Sequence, residues 1–224
     1  MGEERAGATG DALSDRLGAC YSGVLHDTLR ELGRTDCVLP SDIQPLDPAH
    51  KLAGRVFTME GHLEPGADGH ETLLRWTEFL SRAPAGAVVL CQPHDSSIAH
   101  MGELSAETLQ FRGVRGYIVD GGCRDTEFIL NMGFPVFCRY RTPRDVVGVW
   151  LPDRFGEAIE IGGIAIESGD YAFADRDGVV IIPAAIAEQA VTHAEKMMQT
   201  ENLVRKAILD GMDPKQAYLK YGKF

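Results

Sequence analysis

Between residues 87 and 138 the chain alternates short apolar runs with segments of helical period, and no other feature narrows its fold so much. Strands are expected at 87–91, 117–119 and 136–138, with helices at 103–111 and around 126–132 between them. Strand, helix and strand in this succession make βαβ units, so a mainly parallel sheet with helices on its faces is expected.

The flanks read differently. Residues 14–32 place Leu17, Cys20, Tyr21, Val24, Leu25 and Leu29 on one face, which predicts an amphipathic helix started by Ser14 and ended near Gly33. A strand at 54–59 and a helix at 71–80 follow. Beyond Pro143 come short apolar runs with Gly turns, at 146–150, 158–161, 164–166, 171–174 and 179–182, so this part is expected to be β-rich. After Pro183 a helical run reaches Leu209 and ends near Gly211, and a last short helix has Asp213 as N-cap and Pro214 at its first position.

Composition limits the partners. The 224 residues, 44% hydrophobic and 25% charged, suffice for one substantial core, and a single domain over 13–224 behind a flexible 1–12 is expected. The net charge of −11 argues against a nucleic-acid partner, because such binders present a basic patch to the phosphates. Five cysteines without regular spacing give neither a disulfide framework nor a zinc pattern, and reduced thiols are expected. Residues 1–11 are polar and Gly-rich with no apolar leader, and no run has the length to cross a bilayer. A cytoplasmic protein without a membrane partner is expected.

Two stretches carry candidate chemistry. Gly102, Glu103, Leu104 and Ser105 open the helix at 103–111, so their amides are expected to form an anion cradle at its N-terminus. The strand at 117–119 runs into Gly121-Gly122-Cys123-Arg124-Asp125, which offers a fixed cation beside a hard oxygen ligand. The plain structural alternatives are a capped helix for the first stretch and a surface ion pair with a helix cap for the second.

These residues also carry a resemblance. Twenty residues separate Glu103 from Arg124-Asp125, which is similar to the acidic-X20-Arg-Asp signature of the RraA-like family. Gly-Phe-Pro-Val-Phe at 133–137, Ser-Gly-Asp at 168–170 and Asp-Gly-Val-Val-Ile-Ile-Pro at 177–183 resemble further motifs of that family. It includes the regulator of ribonuclease E activity and the metal-dependent 4-hydroxy-4-methyl-2-oxoglutarate aldolases. The resemblance implies an α/β sandwich related to the swivelling β/β/α domain, with a C-terminal helical extension over 184–224, assembled as a homotrimer or homohexamer.

It also implies roles. Asp125 would hold Mg²⁺ or Mn²⁺ directly and Glu103 through water; one or two protein carboxylates suffice for such a cation, which keeps several waters. Substrate carboxylate would lie on the amides of Gly102, Glu103, Leu104 and Ser105. Arg124 would polarise a 2-oxo acid and stabilise the enolate formed on bond cleavage. Glu201, from a neighbouring subunit, matches the base of the aldolase branch; its plain alternative is an i, i+4 pair with Arg205 on a solvated helix face.

The function expected on this resemblance is a metal-dependent lyase that releases pyruvate from 4-hydroxy-4-methyl-2-oxoglutarate or a related 2-oxo dicarboxylate and decarboxylates oxaloacetate. The alternative is a non-catalytic regulator of ribonuclease E type that binds a protein partner. Arg139, Arg141 and Arg144 cluster where aldolase relatives are smaller and Gly-rich, and read as surface charge or as a clamp for a second carboxylate. His94, Asp95, Ser96 and Ser97 read as a polar loop, His100 as a group behind the metal ligands, and Cys123 as a small packed residue at a tight turn.

Overall fold

The computed structural model describes residues 11–224; the N-terminal stretch expected to be flexible lies outside it except for Asp11 and Ala12. Asp11 accepts from the Leu13 amide (3.2 Å) and so caps helix α1 (Ala12–Gly18). Helix α2 (Ser22–Glu31) follows, and the single helix expected over 14–32 is therefore two. The break has a tertiary cause: Tyr21 is extended, and the Ser22 amide that opens α2 is taken by the Asp175 carboxylate at 3.0 Å. Lys51 holds the carbonyl of Cys20 between the two helices at 3.3 Å.

The middle of the chain alternates as the sequence predicts. After β1 (Gln44–Pro45), β2 (Leu52–Leu63) leads through α3 (Gly69–Arg82) to β3 (Ala87–Gln92). Then come α4 (Glu103–Phe111), β4 (Gly116–Val119), β5 (Gly122–Cys123), α5 (Thr126–Met132), β6 (Val136–Cys138) and β7 (Tyr140–Arg141). β2, β3, β4 and β6 pair in parallel, and every residue of β3, β4 and β6 is buried. Sheets covered on both faces are built from such buried, largely apolar strands.

The rest supplies β8 (Trp150–Phe155), β9 (Ile159–Ile161), β10 (Ile164–Ile166), β11 (Tyr171–Asp175) and β12 (Gly178–Ile182). The main sheet runs β1-β6-β4-β3-β2-β11-β12, and β8 pairs with Met59–Leu63 at the far end of β2, across a bulge at Glu60/Gly61. β9 and β10 form a separate hairpin. The strand expected at 146–150 is corrected: 146–149 form a turn, with the Val147 amide on Asp145 Oδ1 (3.2 Å) and the Trp150 amide on the Val146 carbonyl (3.1 Å).

A 3₁₀ turn (Ala184–Ile186) leads into α6 (Ala187–Leu209) and α7 (Pro214–Tyr221), with Asp213 accepting from the Gln216 amide at 3.1 Å. α6 packs through Ala187, Ala190, Val191 and Ala194 on α1, α2 and the outer strands. Arg16 ties α1 to Glu188 and Glu195 of α6 at 2.5 and 2.9 Å. A second cluster, with Trp76, Phe79, Tyr117 and Trp150, fills the space between the sheet and α3, α4 and α5, and its rim carries the candidate site.

Candidate functional site

Three residues on each side of a short parallel ladder bring the two candidate stretches together. Ala99 bridges Gly122, the His100 amide donates to the Gly122 carbonyl (2.9 Å), and the Arg124 amide donates to the Met101 carbonyl (2.9 Å). This register sets Gly102 directly against Arg124 and Asp125. A Cβ on Gly102 would stand 2.8 Å from Asp125 Oδ2 and 3.2 Å from Arg124 Nε, so any side chain there displaces the pair.

Asp125 occupies the N-cap position of α5, yet its side chain caps no amide of that helix. Its backbone is left-handed, φ 54° and ψ 34°, a conformation Asp adopts more readily than most residues but still at a cost of order 1 kcal/mol. The turn aims the carboxylate across at α4, where Oδ2 accepts from the Glu103 amide at 3.2 Å. The cradle is therefore smaller than the sequence suggests, because Asp125 already uses one of its amides. Leu104 and Ser105 lie in the first turn of α4, where amides have no intrahelical acceptor.

Arg124 Nε lies 3.3 Å from Asp125 Oδ2 and its Nη1 3.2 Å from Asp145 Oδ2. Asp145 escaped the sequence reading; its one signal was a second Arg-Asp dipeptide at 144–145. The Trp76 indole donates to Ser105 Oγ at 2.8 Å and pins α3 to the start of α4. Gly102, Glu103, Leu104, Ser105, Arg124, Asp125 and Asp145 all line one cleft of about 630 Å³, walled by α3, α4 and the 146–147 turn.

His100 also lines that cleft. It is wholly buried, neither ring nitrogen has a hydrogen-bond partner, and the nearest acid, Asp95, is 3.6 Å from Nε2. Its ring stands edge-on to Trp150 with centroids 5.1 Å apart. It fits because Gly121 lacks a side chain: a Cβ there would be 2.7 Å from Nδ1. Burial lowers the His100 pKa to about 4 against the opposing pull of Asp95, so the ring is neutral at pH 7.

Other expected residues lie elsewhere. Glu201 is not on this cleft in its own chain: it accepts from the Tyr21 hydroxyl, stands 3.6 Å from Lys223, and lines a smaller pocket of about 290 Å³ with Val204 and Phe224. Its expected alternative partner, Arg205, bonds Asn202 instead. Arg139 pairs with Asp120 and Asp42, and none of Arg139, Arg141 and Arg144 lines the cleft. His94 bonds Glu60 (2.6 Å), while Asp95 accepts from the amides of Ser97 and Ile98 (both 2.9 Å), as in a polar loop. Cys123 is fully buried.

With this geometry in view, the likeness to known proteins becomes specific. The family model RraA-like, described as Aldolase/RraA, matches residues 22–181. The chain belongs to the RraA-like family. This RraA-like chain is 27% identical over 182 residues to a Halalkalibacterium halodurans protein provisionally named 4-hydroxy-4-methyl-2-oxoglutarate aldolase, covering 81% of the chain and 83% of that protein. Its fold is similar to that of an uncharacterized protein from Pseudomonas syringae pv. tomato (TM-score 0.81, 25% identity, 92% of this chain and 96% of that one). It is also similar to Streptomyces coelicolor RraAS2, described as an unusual member of the RNase ES inhibitor RraA protein family (TM-score 0.78, 25% identity, 88% and 98%). The α/β class expected from the sequence is the one the structure has. Among the described residues no helix of this RraA-like protein is long and apolar enough to cross a membrane.

Proposed function

We propose that the protein is a divalent-metal-dependent lyase that releases pyruvate from 4-hydroxy-2-oxo acids of the 4-hydroxy-4-methyl-2-oxoglutarate type and decarboxylates oxaloacetate. The observation that carries this reading is the crossing of Asp125 onto the first turn of α4 beside Arg124, which gathers a carboxylate, a guanidinium and open helix amides in one cleft.

The donor set fits a hard divalent cation. Asp125 and Asp145 lie against the Arg124 guanidinium and Glu103 lines the same cleft, so carboxylates outnumber guanidinium groups there and a divalent cation would balance them when an anionic 2-oxo acid binds. Mg²⁺ or Mn²⁺ keeps most of its waters and needs only one or two protein carboxylates. Asp125 would hold Mg²⁺ or Mn²⁺ directly and Glu103 through water, and the bound cation would withdraw electrons from the 2-oxo carbonyl as a Lewis acid.

The chain's own groups do the rest. The Leu104 and Ser105 amides receive the substrate carboxylate at the positive end of α4. Arg124, oriented by Asp145, donates to the C2 oxygen as that oxygen gains charge. The family resemblance assigns removal of the C4 hydroxyl proton to Glu201 of a neighbouring copy, in a homotrimer or homohexamer; in its own chain Glu201 lies off the cleft.

The test is pyruvate release, followed through lactate dehydrogenase, from 4-hydroxy-4-methyl-2-oxoglutarate and from oxaloacetate, with Mg²⁺ and then with excess chelator. Chelator-sensitive release that disappears in Asp125→Ala is the expected result. No release from either acid would overturn the lyase reading and favour a non-catalytic binder of the kind the description of RraAS2 names.

A further inference from the structure

Among the described residues four side-chain hydroxyls line the cleft, those of Thr77, Ser81, Ser105 and Thr108. Three of them return their proton to their own helix: Thr77 donates to the Leu73 carbonyl (2.8 Å), Ser81 to the Thr77 carbonyl (2.8 Å) and Thr108 to the Leu104 carbonyl (2.7 Å). Ser105 does not. The carbonyls one turn behind it, those of Met101 and Gly102, receive the amides of Arg124 (2.9 Å) and Ala106 (3.0 Å). Its Oγ accepts from the Trp76 indole at 2.8 Å, and among the described residues its own hydrogen has no acceptor.

Trp76 decides that role. An indole N–H only donates and a hydroxyl has one proton, so a hydroxyl that accepts from Trp76 keeps its proton for a third group. Trp76 is buried and stands edge-on to Phe79 and to Trp150, with ring centroids 5.4 and 6.1 Å away, so its indole is held in place from within one chain. Side chains on a helix lean towards its N-terminus, which carries the Ser105 hydroxyl towards the open amides of the first turn of α4. His100 is an independent mark of a polar ligand here: it lines the same cleft, wholly buried, with neither ring nitrogen partnered.

We propose that the Ser105 hydroxyl donates to the substrate carboxylate beside those amides, and that Trp76 is a positioning residue acting through Ser105. This rests on the lyase reading above and adds to its site a side-chain donor for the 2-oxo acid. A carboxylate offers about four lone-pair sites, enough for the Leu104 and Ser105 amides and the hydroxyl together. The bond forms when the acid binds and persists through cleavage, because the carboxylate keeps its charge while the C2 oxygen gains it. Its loss therefore falls on binding rather than on kcat.

The experiment measures the Kd of pyruvate by calorimetry with the Mg²⁺-supplemented full chain, together with KM and kcat for pyruvate release, in the unchanged protein, Ser105→Ala, Trp76→Phe and the double variant. Ser105→Ala should weaken pyruvate binding by about 10- to 100-fold, the range for a hydrogen bond to a charged group, and should raise KM while kcat changes far less. Trp76→Phe should weaken binding by a smaller factor. In the double variant the loss should equal that of Ser105→Ala alone, because Trp76 then has no hydroxyl to direct. Unaltered pyruvate binding in Ser105→Ala overturns the inference. So does a full additional loss from Trp76→Phe in the double variant, which marks packing as the cause, and so does a loss confined to kcat, which gives the hydroxyl to another group such as one from a neighbouring copy. Pyruvate binding that depends on Ser105, with no release from 4-hydroxy-4-methyl-2-oxoglutarate or oxaloacetate, overturns the lyase reading and leaves the inference standing. No binding of pyruvate by the unchanged protein overturns both.

Discussion

At the scale of single residues, the site rests on side chains that their own local structure does not favour. Asp125 is left-handed and caps nothing in its own helix, so its geometry makes sense through Glu103 and Arg124. Arg124→Ala should lower kcat by about 10²- to 10³-fold, the usual loss for a donor to developing negative charge. Arg124→Lys should not restore it, because Arg124 meets Asp125 and Asp145 through two different nitrogens of a planar fork and a single ammonium nitrogen does not span that geometry; steady-state kinetics with a far-UV spectrum separates this from misfolding. Gly102→Ala should cost activity without loss of fold, since its Cβ would press on both members of the pair. His100 gives a pH prediction. Its folded pKa of about 4 lies below the unfolded value of 6.5, so the stability it contributes is complete above pH 6.5 and is lost as pH falls towards 4, while the unfolded chain alone takes up the proton. That loss is of order 3 kcal/mol. Urea midpoints across the window should fall less steeply in His100→Phe than in the unchanged protein. The sequence showed Glu103, Arg124 and Asp125 through their spacing. It did not show Asp145 or Trp76, which reach the site only by folding.

At the scale of elements, the strand and helix alternation between 87 and 138 was legible because each element there is buried by its immediate neighbours in the chain. The failures occurred where a distant partner decides. Residues 14–32 have a continuous helical period, yet Asp175, more than 150 positions away, takes the Ser22 amide and starts a new helix. Asp175→Ala should therefore cost about 1–2 kcal/mol, by leaving that buried amide and the Asp177 amide without an acceptor, measured by urea unfolding. The apolar run 146–150 has strand composition, but 146–149 form a turn that walls the cleft, with the Val147 amide on Asp145, and only Trp150 enters a strand. Val146 and Val147 line the cleft together with residues of α3 and α4.

At the scale of the whole molecule, charge and connectivity meet at the cleft. Asp125 and Glu103 should bind Mg²⁺ only in the folded state, because the ladder between 99–101 and 122–124 brings them together. A cation present at a hundred times its dissociation constant stabilises the fold by about 2.7 kcal/mol. Thermal unfolding should show that gain with Mg²⁺, and Asp125→Asn should abolish it. By itself the sequence determined the βαβ alternation, the β-rich second half, the C-terminal helices and the acidic-X20-Arg-Asp spacing, all of which follow from local periodicity and fixed offsets along the chain. Only the tertiary structure decided that Asp125 crosses to the Glu103 amide, that Asp145 braces Arg124, that His100 is buried without a partner, and that Glu201 faces a different pocket of its own chain. Those contacts join residues far apart in the chain, and a one-dimensional pattern carries no information about which amide a carboxylate will reach once the backbone turns.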